Sequence, residues 1–264
     1  MSLEITILGC GSSGGVPRVG QGWGACDPKN PKNQRRRCAI LVERKGPEGV
    51  TSVLVDAGPD LRMQLLDRAV TRLDGILLTH AHADHIHGID DVRPLVIQMR
   101  KRIDLFMDEP TTMSMREKFG YVFETPPGSL YPALLNARSL MDGEPCRVDG
   151  PGGVLDAVPF RVNHGDIDAL GLRFGAIAYT PDLNAAPDES LRYLEGLDLW
   201  IIDALRRTKH PSHLSLGEAL AWIERMKPRR AILTNLHTDL DYATLCAELP
   251  SHVTPAFDGM RICA

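Results

Sequence analysis

The stretch Thr79-His80-Ala81-His82-Ala83-Asp84-His85-Ile86-His87-Gly88 holds four of the chain's nine histidines. Just before it, Gly75-Ile76-Leu77-Leu78-Thr79 is an apolar run suited to a buried strand, and residues 86–98 have room for a helix. The cluster therefore falls on a strand-to-helix loop, the kind of segment that carries sites. In an extended backbone His80 and His82 project to one side and can clasp one ion. Once the chain turns, Asp84 and His85 point elsewhere, which suits a second ion close by. A solvated histidine-rich loop is the plain alternative. It does not account for an acid interleaved at this spacing, and the stretch reads as a metal site.

Working outward, the composition sets limits. With 264 residues, 43% hydrophobic and 24% charged, the chain reads as one globular domain spanning residues 1–264. No apolar segment approaches the length of a membrane span, and Glu4 stands in the first apolar run where a secretory leader would need cations, so a cytoplasmic protein without a membrane partner is expected. Six scattered cysteines without a CxxC pair read as reduced thiols. A formal charge of −4 argues against a stable complex with a nucleic-acid polymer, whose affinity comes from clustered cations. A single phosphodiester can still be met locally.

The chain opens on the alternating strand Leu3-Glu4-Ile5-Thr6-Ile7-Leu8. Gly9, Gly11 and Gly14 then match GxGxxG, but Pro17, Gly20, Gly22 and Gly24 stand where the fingerprint needs a helix, so dinucleotide binding is rejected. Residues 16–36 form a long polar loop, and the run Arg35-Arg36-Arg37 reads as a solvated face. Residues 38–43 and 51–56 read as a hairpin ending at Asp56, which serves either as a helix cap before Pro59, with Leu61, Leu65 and Leu66 on the apolar face, or as the acceptor that orients a ligand histidine. A strand over 103–107 and a helix over 110–119 follow. Residues 121–140, with Pro126, Pro127 and Pro132, suggest an irregular insert. Further strands end at Asn163-His164, at Thr180-Pro181-Asp182, at Asp203 and at Thr234-Asn235-Leu236-His237. His213 precedes a helix whose cap is Ser215 or Ser212, and it lies in a stretch with Arg206, Arg207 and Lys209.

His80-x-His82-x-Asp84-His85 resembles the signature of the metallo-β-lactamase-fold hydrolases, along essentially the whole chain. Leu8-Gly9-Cys10-Gly11-Ser12-Ser13-Gly14-Gly15-Val16-Pro17, Asp56-Ala57-Gly58-Pro59-Asp60 and His210-Pro211-Ser212-His213-Leu214-Ser215 are similar to the cyclic-phosphate phosphodiesterase branch, which includes the phosphoribosyl 1,2-cyclic phosphate phosphodiesterases and is related to tRNA 3′-processing endonucleases. The resemblance implies an α/β fold, a four-layer αββα sandwich of two mixed β-sheets, with a metal site between them. It implies His80, His82 and His164 on one ion, Asp84 and His85 on the other, and Asp182 bridging them. His213 would face the substrate phosphate as proton donor, with Asp84 counted beside it as catalytic. The commoner pattern places a histidine directly after the threonine where Asn235 stands here. Either Asn235 binds weakly or the strand end is re-registered, and His237 is expected to complete the second site because imidazole is the better ligand. Relatives in the phosphonate branch carry a cysteine-rich insert that holds a structural zinc. Only Cys26 remains of it, and Thr238 stands in the later position, so no such zinc is expected.

The implied function is metal-dependent hydrolysis of a small cyclic phosphate or nucleotide-like phosphodiester by a metal-bridging hydroxide, with two divalent ions, Zn²⁺ or Mn²⁺, as cofactors. A thioester hydrolase of glyoxalase type would share the ligands without needing the His210–His213 segment. An RNA-processing nuclease would need a basic arm, and residues 121–140 are poor in Lys and Arg.

Overall fold

The computed structural model describes residues 3–263. In chain order the elements are β1 (Leu3–Gly9), β2 (Ala39–Gly46), β3 (Gly49–Val55), α1 (Leu61–Asp67), β4 (Gly75–Leu77), α2 (Ala83–Ile86), α3 (Arg93–Met99), β5 (Ile103–Met107), α4 (Glu109–Phe119), β6 (Leu135–Ser139), β7 (Cys146–Val148), β8 (Leu155–His164), β9 (Ile167–Phe174), β10 (Ile177–Thr180), β11 (Leu199–Asp203), α5 (Leu216–Met226), β12 (Arg230–Thr234), α6 (Tyr242–Glu248), β13 (Val253–Pro255) and β14 (Arg261–Cys263). One seven-stranded sheet runs β14-β1-β2-β3-β4-β5-β6 and the other β13-β12-β11-β10-β9-β8-β7. Each is mixed: β3 to β6 are parallel in the first, β10 to β13 in the second, and the remaining neighbours are antiparallel.

Period-2 alternation explains the layering. Ile40, Val42, Val53 and Val55 of the first sheet meet Leu170, Leu172, Tyr179 and Ile201 of the second in one buried cluster. The opposite faces are apolar as well. Leu41, Leu54 and Ile76 pack under Leu61, Ile86 and Leu95, and Trp200, Ile202 and Leu233 pack under Leu216, Ala219, Ile223 and Leu245. Helices thus cover both outer faces, giving the expected αββα sandwich.

Local corrections have physical reasons. The single helix expected over 86–98 is two short helices, α2 and α3, joined by a 3-10 turn over Ile89–Val92. The break comes at Gly88, where a Cβ would lie 1.9 Å from the Gly58 carbonyl oxygen, so only glycine lets the backbones approach so closely. Residues 135–139, taken for part of an insert, are the edge strand β6, paired parallel to β5. Leu66 faces solvent at 57% exposure, so the apolar face of α1 is carried by Leu61 and Leu65.

Arg35 is the largest departure from expectation: it is 2% exposed, not on a solvated face. Its guanidinium donates to the carbonyls of His237 (3.2 Å) and Leu240 (2.7 Å) and to Asn33 Oδ1 (3.2 Å), and it faces Cys26 Sγ at 3.8 Å. One planar cation therefore ties the loop before β2 to the loop after β12. Arg35→Ala is expected to lose about 2–4 kcal/mol of stability, because two carbonyls lose their donor inside the protein. A urea midpoint unchanged from the parent protein would show that water replaces those bonds.

Candidate metal centre

Parallel strands of both sheets end on one rim, the place where α/β sheets present ligands. Asp56 follows β3, the histidine cluster follows β4, Asp182 follows β10, Asp203 closes β11 and Asn235 follows β12; His164 closes the antiparallel β8. Asp56 (φ 65°) and Asn235 (φ 60°) both adopt the left-handed conformation that short polar side chains tolerate, so each strand turns sharply at its functional residue.

The structure brings His80, His82, His164 and Asp182 together, with one ligand atom from each within 4.8 Å of the others. Asp84, His85 and Asp182 form a second group of the same kind. His82 Nδ1 lies 3.0 Å from His80 Nε2 and 3.2 Å from His164 Nε2. Asp182 Oδ2 lies 3.6 Å from His80 Nε2, 3.5 Å from His164 Nε2 and 3.4 Å from His85 Nε2, so a single oxygen is shared between the groups. A tetrahedral ion with bonds of about 2.0–2.1 Å separates its ligands by about 3.3 Å, and these spacings match. His85 Nε2 is buried without a hydrogen-bond partner and faces Asp84 Oδ2 at 3.4 Å. Such a nitrogen wants a ligand. The residues present fit the divalent ions that the fold family implies.

The far sides of the rings are held. His85 Nδ1 lies 2.8 Å from Asp56 Oδ2, and Asp56 also accepts from the Thr79 amide at 2.9 Å, so Asp56 orients a ligand histidine rather than capping α1. His80 Nδ1 meets the Thr79 hydroxyl at 3.1 Å, and His164 Nδ1 donates to the Ser212 carbonyl at 2.7 Å. Burial, reinforced by the His85 charge, holds His80 well below the usual histidine range, and burial lowers His82 and His164 as well. Neutral imidazoles are what an ion requires. For His85 burial acts the same way, but Asp182, Asp56 and Asp84 outweigh it and raise its pKa well above the ordinary value.

His213 lies beside this centre, its ring centroid 4.6 Å from that of His164. Its position follows from α5: Ser215 is the cap, accepting from the Glu218 amide while Glu218 accepts from the Ser215 amide, and His213 sits two residues upstream. His213 Nδ1 is 2.8 Å from Asp203 Oδ2. Burial opposes its charge, yet the Asp203 hydrogen bond and the nearby carboxylates raise its pKa, while burial pushes Asp203 up to about 7 against the pull of His213. Asp203 was missed in the sequence. Its only signal was an acid closing an apolar strand, which is also the signal at Asp56.

His237 is the correction. The structure does not bring it to the ligand atoms: its Nε2 contacts the Arg18 guanidinium and its Nδ1 the Thr238 hydroxyl at 3.0 Å. Asn235 points inward instead, its Nδ2 lying 3.2 Å from Asp182 Oδ1 and 3.1 Å from Asp203 Oδ1. The left-handed turn at Asn235 ends the strand there, and two residues on the chain faces the loop that carries Arg18. The cations near His213 are also engaged elsewhere. Arg206 donates to the carbonyls of Thr208 and Lys209, Arg207 pairs with Glu248, and Lys209 pairs with Glu218.

A cavity of about 630 Å³ opens on the His80 and His82 side, walled by Asp108, Asp142, Arg161 and Leu170 among others. No helix among the described residues is long and apolar enough to cross a membrane.

Comparison with known proteins agrees with this geometry. Residues 51–235 match the beta-lactamase superfamily domain. A solved structure described as a new diphosphatase from the PhnP family is 32% identical, superposes with a TM-score of 0.89, and is covered to 98% of its length by the whole of this chain. The octanoyltransferase of Porphyromonas gingivalis (strain ATCC BAA-308 / W83) is 31% identical over 264 residues, which are 98% of this chain and 51% of that protein. The ribonuclease Z of Bradyrhizobium sp. (strain ORS 278) is 31% identical over 157 residues, 54% of this chain and 46% of the relative. The chain spans about half the length of these two curated relatives. With the two-sheet sandwich and the match over residues 51–235 in agreement, the chain belongs to the beta-lactamase superfamily, in the metallo-β-lactamase fold group that includes the PhnP family.

Proposed function

We propose that this protein is a metal-dependent phosphodiester hydrolase acting on a small cyclic or nucleotide-like phosphate ester, with His213 as the proton donor to the leaving group. The observation that carries this reading is the Asp203–His213 pair set against the ligand cluster, 2.8 Å between carboxylate and ring and 4.6 Å from the His164 ring. Similarity to a PhnP-family diphosphatase and to a ribonuclease Z supports a phosphate ester as substrate. Zinc or manganese suits the mixed imidazole and carboxylate donors, and such ions, when bound, supply Lewis-acid charge that stabilises negative charge building on phosphoryl oxygens.

The chain's own residues do the rest. Asp203 accepts the Nδ1 proton of His213, which fixes the tautomer and leaves Nε2 for the ester. A proton held at Nε2 passes to the departing alkoxide, whose high basicity makes it a poor leaving group without one. Asp56, Thr79 and the Ser212 carbonyl keep the ligand rings from turning. The cavity of about 630 Å³ beside His80 and His82 is large enough for a sugar or nucleoside.

A thiolate, by contrast, leaves without protonation near neutral pH, so a thioesterase has no use for the Asp203–His213 pair. A long RNA partner is disfavoured by the net charge of −4 and by residues 121–140, whose single cation, Arg138, pairs with Asp104 at 3.2 Å. The test is turnover by metal-reconstituted protein of 2′,3′-cyclic nucleotides, linear phosphodiesters, a diphosphate and an acyl thioester. Cyclic phosphates are expected to give the highest kcat/KM. Preference for the thioester would overturn the proposal.

A further inference from the structure

We infer that the two metal positions are unequal: His80, His82, His164 and Asp182 hold one ion firmly, whereas Asp84, His85 and Asp182 hold a second, exchangeable one, because Asn235 stands beside that position as a hydrogen-bond donor and not as a ligand. The inference rests on the ligand geometry and not on the choice of ester.

Ligand number gives the first argument. Four His and Asp side chains converge on the first position and three on the second, and Asp182 Oδ2 is common to both. The first set is three imidazoles and one carboxylate; the second is one imidazole and two carboxylates. Nitrogen-rich, four-ligand sites favour zinc, whereas oxygen-rich sites with open positions suit manganese or magnesium, which keep several waters and exchange readily.

The role of Asn235 follows from its neighbours. It is 3% exposed, and its Nδ2 is within 3.2 Å of Asp182 Oδ1 and 3.1 Å of Asp203 Oδ1. An amide nitrogen has two protons and no lone pair to give, so both protons are used on the two carboxylates. Turning the amide over would set its carbonyl oxygen against those same two oxygens, which fixes the assignment. Nδ2 also lies 3.1 Å from His213 Nδ1, but that nitrogen donates to Asp203 and cannot accept as well. Asn235 thus ties the shared carboxylate to the Asp203–His213 pair. His237 does not fill the gap either, because its ring is turned to Arg18.

The experiment is metal analysis of the full chain, with no substrate present. Protein stripped with a chelator is titrated with ZnCl₂ and separately with MnCl₂ by calorimetry, and metal content is measured after desalting into metal-free buffer. Two binding phases are expected, differing by on the order of 100-fold in Kd, with one zinc retained after desalting. His85→Ala should remove the weak phase and keep the tight one. Asn235→His should make the protein retain a second zinc. Two ions bound in one phase, or two zincs retained by the unmodified protein, would overturn the inference. Should Asn235→His fail to fold, the unmodified titration and His85→Ala still decide. Failure of the ester panel would leave these stoichiometries untouched, so the two proposals stand or fall separately.

Discussion

His213→Ala is expected to lower turnover of an alkyl phosphodiester by on the order of 10²- to 10⁴-fold while leaving metal content unchanged. The size follows from what general acid catalysis contributes when the leaving group is a strong base. Retention of metal follows from geometry: His213 is absent from both ligand groups, and its Nδ1 is committed to Asp203 at 2.8 Å. With a nitrophenyl ester the loss should shrink, because nitrophenolate departs without a proton. Three measurements separate the possibilities: kcat on alkyl esters, kcat on nitrophenyl esters, and elemental analysis. Equal losses on both esters with metal retained would make His213 a phosphate-binding group. Loss of an ion would make it a ligand. Asp203→Asn tests the same pair from the other side and should follow His213→Ala in its leaving-group dependence, since it replaces a carboxylate that can only accept by an amide whose NH2 can donate to Nδ1 and set the other tautomer.

Asp182→Ala is expected to remove bound metal altogether, with activity falling to background. Its Oδ2 lies within 3.6 Å of three ligand nitrogens, and no other carboxylate belongs to both groups. Without it, cations at the two positions would face each other with less negative charge between them, and repulsion at such a separation in a poorly screened interior is severe. The charge pattern agrees: although burial opposes ionisation, His85, His80 and His213 hold the Asp182 carboxyl well below the usual range. Elemental analysis after reconstitution checks the outcome. A variant that keeps one equivalent of metal would show that three histidines suffice at the first position.

How much of this was legible in the sequence depends on backbone direction. Where strands run straight, reading succeeded: the strands expected over 3–8, 38–43 and 51–56 and the one ending at His164 are β1, β2, β3 and β8, and Asp56 and His164 lie where two of them end on the rim. Where the chain turns through an unusual conformation, linear spacing lost its meaning. His237 reads as a ligand because imidazole binds such ions better than the Asn235 amide, but Asn235 at φ 60° redirects the chain, and Arg18, more than two hundred residues away in sequence, takes its ring. Arg35 looked solvated because charge runs usually are; its burial depends on carbonyls of residues 237 and 240, which no local pattern reveals. The strand β6 carries a weak apolar signal, Leu-Asn-Ala-Arg-Ser, as an edge strand can.

The division of ligands between the sheets has a consequence for how the molecule holds together. His80, His82, Asp84 and His85 follow a strand of the first sheet, whereas His164 closes one strand of the second and Asp182 follows another. The rim is therefore a seam, and an ion seated there adds a staple to the side-chain packing and the few hydrogen bonds, such as Leu236 N–H to the Cys10 carbonyl, that already join the two halves. By mass action every tenfold rise in free metal above its dissociation constant adds about 1.4 kcal/mol to the work of parting them. Metal supply would thus set the lifetime of the folded chain as well as its catalytic competence, and starvation for metal would expose the protein to proteolysis along the seam between its sheets.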